Sequence, residues 1–255
     1  MGYSKGIACY IDILGTKDKK FDELLRVNRI FHNELEYFQK PYSIEEYIWE
    51  NNVTSFSDCA YIVYTIKDKI NFNKLNIKDV LDNIFYCLYD IAYIIANFAF
   101  NGFLCRGGIC YGDIYFEKSN ILFGPAINNA YLLETVAKMP RVILDDEFVK
   151  KYLYVFENDL GKNEIEKMIN IVLKDDIDSR YYLNYLSITT YGNYEYSKSD
   201  KYSHNIFDEL YEKIKINFEK TIRDISNHDI IAKHNWNKKY FELAKKYNES
   251  LKCKQ

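Results

Sequence analysis

The chain has 255 residues, of which 48% are hydrophobic and 28% charged, with a formal net charge of −3. That balance supports a substantial core and excludes an intrinsically disordered protein. Cationic residues are dispersed and the net charge is slightly negative, which excludes a protein steered to nucleic acid or anionic lipid by its overall field.

In chain order, Gly6–Leu14 is apolar on both alternating faces and closes at Gly15, the pattern of a strand buried inside a sheet. The next segment, 21–38, is predicted helical, with Leu24, Leu25, Ile30, Phe31, Leu35 and Phe38 forming a broad stripe. Val53–Phe56 and Ala60–Tyr64 flank the turn-forming pair Ser57-Asp58 and read as a hairpin. The segment 77–98 is the strongest helix, with Leu81, Ile84, Leu88, Ile91 and Ile95 at steps of three and four. Phe103–Gly112 returns to strand. The predicted order is β-α-β-β-α-β, a ferredoxin-like (palm) α+β core.

Further on, Ile121–Phe123 is a short strand and Pro125 opens a helix reaching about Thr135. Arg141–Leu144 is a strand, and Asp145-Asp-Glu147 favours the first turn of another helix. Tyr181–Ile188 alternates like a strand. Two helical segments follow, 206–225 and 229–251, with Trp236 and Tyr240 read as packing or dimer contacts. A polar stretch near Thr190–Ser203 divides a core of residues 1–190 from a C-terminal helical extension, 204–255.

The six cysteines (Cys9, Cys59, Cys87, Cys105, Cys110 and Cys253) have no CxxC spacing. The four histidines have no ligand spacing and read as surface or packing residues. Neither a P-loop nor a dinucleotide glycine motif is present. No signal peptide opens the chain and no apolar run reaches the roughly 18 residues of a membrane span, so the expectation is a cytoplasmic protein without membrane or nucleic-acid partners.

Chemistry concentrates in three places. Asp12 ends the first strand and Asp58 sits in the hairpin, so two carboxylates lie at comparable strand ends; paired in this way they suit divalent cations and a triphosphate, although singly each reads as a strand-ending aspartate. The amides of Ile13, Leu14, Gly15 and Thr16 are expected to turn toward phosphates. Arg106 lies in the apolar strand Leu104–Ile109 and needs an anion, either a substrate phosphate or an internal acidic partner. Asn128 occupies the first turn of the helix opening at Gly124, where it reads either as a ligand-orienting amide or as a surface polar residue.

These residues together resemble the class III nucleotide cyclases. Tyr10-Ile-Asp12-Ile-Leu-Gly15 resembles the family's metal-binding strand, Phe56-Ser-Asp58 its second metal aspartate, Arg106-Gly-Gly-Ile109 its phosphate-reaching strand, and Gly124–Ala130 its ribose-orienting helix. The chain is most similar to the Pycsar pyrimidine cyclases of bacterial antiphage defence. Asp12–Gly15, Ser57-Asp58, Arg106–Ile109, Phe123–Ala126, Leu133-Glu134 and Pro140-Arg141 reappear in that family's order.

The resemblance implies two Mn²⁺ or Mg²⁺ ions on Asp12, Asp58 and the Ile13 carbonyl, and Arg106 on the phosphates. It implies a head-to-tail homodimer with active sites at the seam, where Asn128 acts across the interface. It also implies a cyclic nucleotide product that acts on a separate effector.

The positions where adenylate cyclases place their purine-reading Lys and Asp hold Thr54 and Ile121 here. A pyrimidine triphosphate is therefore expected, its base near Tyr10, Thr54 and Phe56, with UTP favoured over CTP. Leu132 stands where many family members place a transition-state arginine, leaving Arg106, Lys138 or metal to meet that charge, and Thr16 replaces the usual Phe. The remaining alternatives are another palm-type nucleotidyltransferase and a catalytically silent nucleotide-binding sensor.

Overall fold

A computed structural model describes residues 2–16, 20–38, 48–67, 70–71, 74–117, 121–153, 171–187, 212–213, 216 and 227–252. The first six elements are β1 (Ser4–Ile13), α1 (Phe21–Phe38), β2 (Trp49–Phe56), β3 (Cys59–Ile66), α2 (Ile77–Phe100) and β4 (Cys105–Glu117). They pair in the order β2-β3-β1-β4, antiparallel throughout. This is the expected β-α-β-β-α-β core, with β1 at its centre.

Alternation along β1 assigns its two faces. Ile7, Cys9, Ile11 and Ile13 are buried under α1 and α2, in one cluster with Val27, Phe31, Leu81, Ile84, Leu88 and Phe98. Ala8 and Tyr10 belong to the opposite face, which α3 (Pro125–Ala137) covers with Ala126, Ile127 and Ala130. The chain reaches α3 through β5 (Ile121–Phe123), which pairs with the end of β4.

Gly108 makes this seat possible: a Cβ there would collide with the Ala130 carbonyl and the Leu133 Cβ, so α3 rests directly on backbone. Ala126 lies over Gly112 at the other end of the same contact. The helix thus runs back along β4 toward Arg106.

The sheet continues through β6 (Val142–Leu144), parallel to β4, then β8 (Tyr181–Leu183) and β7 (Val172–Lys174). Asp145 caps the single-turn α4 (Asp146–Phe148) by accepting from the Phe148 amide. The last helix, α5 (His228–Lys252), docks beside β8. Trp236 Nε1 donates to Asp175 at 2.6 Å, and Arg141 Nη1 reaches the same carboxylate at 2.5 Å. The Tyr240 hydroxyl donates to Asn184 at 2.7 Å and accepts from the Leu186 amide.

Several expectations need correction. On α1 the buried stripe is Val27 and Phe31 with Ile30 beside them, while Leu25 faces out; Leu35 and Phe38 side chains lie outside the described residues. Tyr181–Ile188 is a strand only to Leu183, because Tyr185–Ser187 coils into a 3₁₀ turn whose buried side chains meet α5. Lys78–Phe100 is long and apolar enough to cross a membrane, contrary to the sequence reading; 67% of its most apolar window is buried here, as befits the central core helix. Nearly all of 206–225 and the stretch 190–203 lie outside the described residues.

Candidate functional site

Strand register builds the site as two rows on the α3 face. Asp12 pairs with Cys59 on one side and Arg106 on the other, and Cys59 pairs with Phe56. One pleat away, Tyr10 pairs with Tyr61 and Gly108, and Tyr61 pairs with Thr54. Because side chains alternate, Phe56, Cys59, Asp12 and Arg106 share one face with Thr54, Tyr61 and Tyr10.

The hairpin turn brings Asp58 to the same edge. Ser57 takes a left-handed φ of 55°, as a primed two-residue turn demands of its first central residue. The Asp58 carbonyl accepts from the Ile13 amide at 3.0 Å, which fixes the turn against the end of β1. Its carboxylate receives the hydroxyl of buried Thr16. Gly15, at φ 78°, provides the bend that folds Thr16 back.

One expectation fails here. The Ile13 and Leu14 amides do not turn toward a ligand, since Ile13 donates to Asp58 and Leu14 donates to the Leu104 carbonyl at 2.8 Å. The end of β1 is stitched to both neighbouring segments.

Arg106 is already engaged within the chain. Its Nη2 lies 3.3 Å from Asp12 Oδ2, and its Nε pairs with Glu134 on α3. The internal-anion reading of this arginine is therefore realised in the isolated chain. The side chains of Asp12 and Arg106 remain 23% and 30% exposed, open to solvent, while that of Glu134 is 5% exposed.

Electrostatics record how closely these groups gather. Burial pushes the Cys59 thiol up, and the charges of Asp12 and Asp58 push it further. Burial likewise raises the Tyr10 hydroxyl. Glu134 is raised by burial and by Asp12, against the opposing pull of Arg106. Two carboxylates, Asp12 and Glu134, thus share one guanidinium, and the surplus negative charge suits a cation.

Beside them, the base-side row offers aromatic surface and one unsatisfied hydroxyl. Tyr10 lies 4.7 Å from Tyr61 and 5.3 Å from Tyr131 between ring centroids. Thr54 Oγ1 is buried with no hydrogen-bond partner among the described residues. Phe56 is 80% exposed at the rim.

Asn128 is not gathered into this group. It is exposed on the first turn of α3, toward the Gly112 end, whereas Glu134 reaches Arg106 from the last turns. Leu132 is 57% exposed. Sequence reasoning assigned no role to Cys59, Tyr61 or Glu134. Alternation from Asp58 and pairing to Tyr10 point to the first two; the third stood in the sequence only as part of the Leu133-Glu134 pair, with no partner assigned.

The donors fit a divalent cation of the Mg²⁺ or Mn²⁺ type. Among the described residues no group of three or more His, Cys, Asp or Glu could hold a metal ion. Such ions are commonly bound by one or two carboxylates, with substrate phosphates and water completing the shell. Asp12, Asp58 and a strand-end carbonyl match that requirement.

No family model and no curated protein matches the chain. Solved structures do. The catalytic core of a rhodopsin-guanylyl cyclase with converted specificity, in complex with ATPalphaS, is 10% identical; the match covers 72% of this chain and 97% of that one, with a TM-score of 0.40. The monomeric guanylyl cyclase domain of the RhoGC fusion protein from the aquatic fungus Blastocladiella emersonii is 13% identical, covers 72% and 96%, and has a TM-score of 0.42. The likeness is loose at these scores, and no role is carried from those proteins to this chain.

Proposed function

We propose that the chain is a pyrimidine nucleotide cyclase, converting UTP or CTP to the 3′,5′-cyclic monophosphate and pyrophosphate. The observation that carries this reading is the meeting of Asp12, the Asp58 turn and Arg106 at one solvent-open edge of the sheet. Asp12, Asp58 and the Ile13 carbonyl would hold two divalent cations. When bound, those ions neutralise triphosphate oxygens and lower the pKa of the ribose 3′-hydroxyl.

The chain's own residues do the rest. Arg106 holds the β- or γ-phosphate, and Gly15 and Thr16 direct amides at the triphosphate. The 3′-oxygen, losing its proton, bonds to the α-phosphorus as the bond to the bridging oxygen breaks and pyrophosphate leaves. Tyr10 and Phe56 flank the base, and the unpartnered Thr54 hydroxyl reads its polar edge. A hydroxyl can donate to O4 of uracil or accept from N4 of cytosine, so Thr54 suits either pyrimidine, and we favour the uracil contact.

Asn128 is exposed and away from its own chain's Asp12, so it acts on the nucleotide of a second copy in a head-to-tail dimer. Exposed Tyr131, Leu132 and Val136 on α3, with Phe56, supply an apolar contact surface for that copy. The cyclic product acts on a separate effector, in keeping with an antiphage role in the cytoplasm. Residues 1–190 form the catalytic domain and 204–255 its helical extension.

A second reading, a nucleotide-binding dimer without turnover, is favoured by one observation. Arg106 is held by Glu134 and Asp12, and Leu132 supplies no second cation at the α-phosphate. Incubating the protein with each of the four NTPs and Mn²⁺, followed by mass identification of products, separates the readings. Cyclic UMP or CMP supports the cyclase. A linear or dinucleotide product indicates a palm-type transferase, and binding without turnover indicates the sensor.

A further inference from the structure

Glu134 has no part in the chemistry above, yet it is one of the few acidic residues buried among the described residues, at 4% exposed. It extends from α3, whose apolar face is locked on Gly108 and Gly112, so its backbone is fixed by packing. Among the described residues its ion-pair partner is Arg106, through Nε, the inner edge of the guanidinium. The outer edge is held differently: Nη2 meets Asp12 at 3.3 Å, and Nη1 has no partner among the described residues. One arginine thus has a buried anchor and a solvent-open contact.

We propose that Glu134 is a positioning residue for phosphate binding: it holds Nε of Arg106 so that the outer nitrogens trade Asp12 for the phosphates of an incoming nucleotide. A planar guanidinium offers N–H groups along separate edges, so it can keep one anion while exchanging another. In the isolated chain Arg106 neutralises Asp12. Once a cation takes over that carboxylate, the outer edge is free to turn without losing its anchor. Without the anchor, the long side chain would lose rotamer freedom on every binding event.

The inference rests on the nucleotide-cyclase reading, and its test separates the two. Wild type, E134Q, R106K and the double variant are assayed as full chains for KM and kcat with the preferred NTP, for binding of inorganic tripolyphosphate with Mn²⁺, and for thermal stability. Expected for E134Q is a KM raised roughly tenfold, with tripolyphosphate binding weakened by a similar factor and kcat changed far less, as follows from losing one charge-assisted contact. The effects of E134Q and R106K should fall well short of multiplying, because both act through one guanidinium.

E134Q with wild-type KM and tripolyphosphate affinity overturns the inference while leaving the cyclase reading standing, as does full multiplication of the two effects. Wild type that neither binds nor turns over any NTP overturns the reading itself. If E134Q fails to fold, E134D replaces it in the same cycle, and coupling to R106K remains the deciding result.

Discussion

Thr54 and Asp58 were both legible in the sequence, but for different reasons. Asp58 announces itself through the Ser-Asp turn between alternating runs, whereas Thr54 stands out only because a polar purine reader is missing at its position. The structure adds that the Thr54 hydroxyl is buried and has no hydrogen-bond partner among the described residues, which costs free energy unless a ligand answers it. T54V is therefore expected to keep or improve thermal stability while lowering kcat/KM for the pyrimidine triphosphate by roughly five- to tenfold. Steady-state kinetics beside a melting curve check both. The Leu133-Glu134 pair was visible, but the ion pair of Glu134 with Arg106 was not, since it depends on α3 lying along β4, a tertiary contact that no local spacing encodes. The engaged Ile13 and Leu14 amides escaped for the same reason: their acceptors, Asp58 and Leu104, are distant in sequence.

At the scale of elements, the core was readable because each helix and strand has its own period, and α1 began and ended where the pattern placed it. Beyond β5, α3, β6, α4 and α5 also lie close to their predicted bounds, whereas β7 was not foreseen and the strand at Tyr181 was drawn too long. The 3₁₀ turn at Tyr185–Ser187 forms because Tyr185 and Leu186 bury against α5, which overrides a strand-like alternation. Two predictions belong here. G108A forces a methyl group into the Ala130 carbonyl and Leu133, so it should cost about 1–3 kcal/mol, read as a lower unfolding midpoint in urea.

The second concerns the Arg141 ion-pair network beneath α5. Burial raises the Asp178 carboxyl, but hydrogen bonds from Arg141 and the Arg180 amide, with both guanidiniums, bring it below its ordinary 3.8. A depressed acid stabilises the fold above its unfolded pKa and loses that contribution as pH falls through the folded value. The difference in melting temperature between wild type and D178N should be full at pH 6 and shrink below about pH 4. A difference that stays constant from pH 6 to pH 3 would count against this.

For the whole molecule, the proposed head-to-tail pair would cover the exposed apolar side chains of α3 and the β2–β3 turn. L132E is expected to shift the protein to monomer in sedimentation velocity and to remove turnover with it. A wild-type chain that is monomeric at tens of micromolar and still active would contradict the role of Asn128 across the seam. The account depends most on the carboxylates of Asp12 and Asp58 sharing bound cations at the strand ends. Mn²⁺ titration monitored by electron paramagnetic resonance, with a non-hydrolysable pyrimidine triphosphate present, measures this directly in wild type, D12N and D58N. Wild type should bind Mn²⁺ and each variant should lose most of that binding while melting as a folded protein; folded variants that bind Mn²⁺ as wild type does would contradict the account.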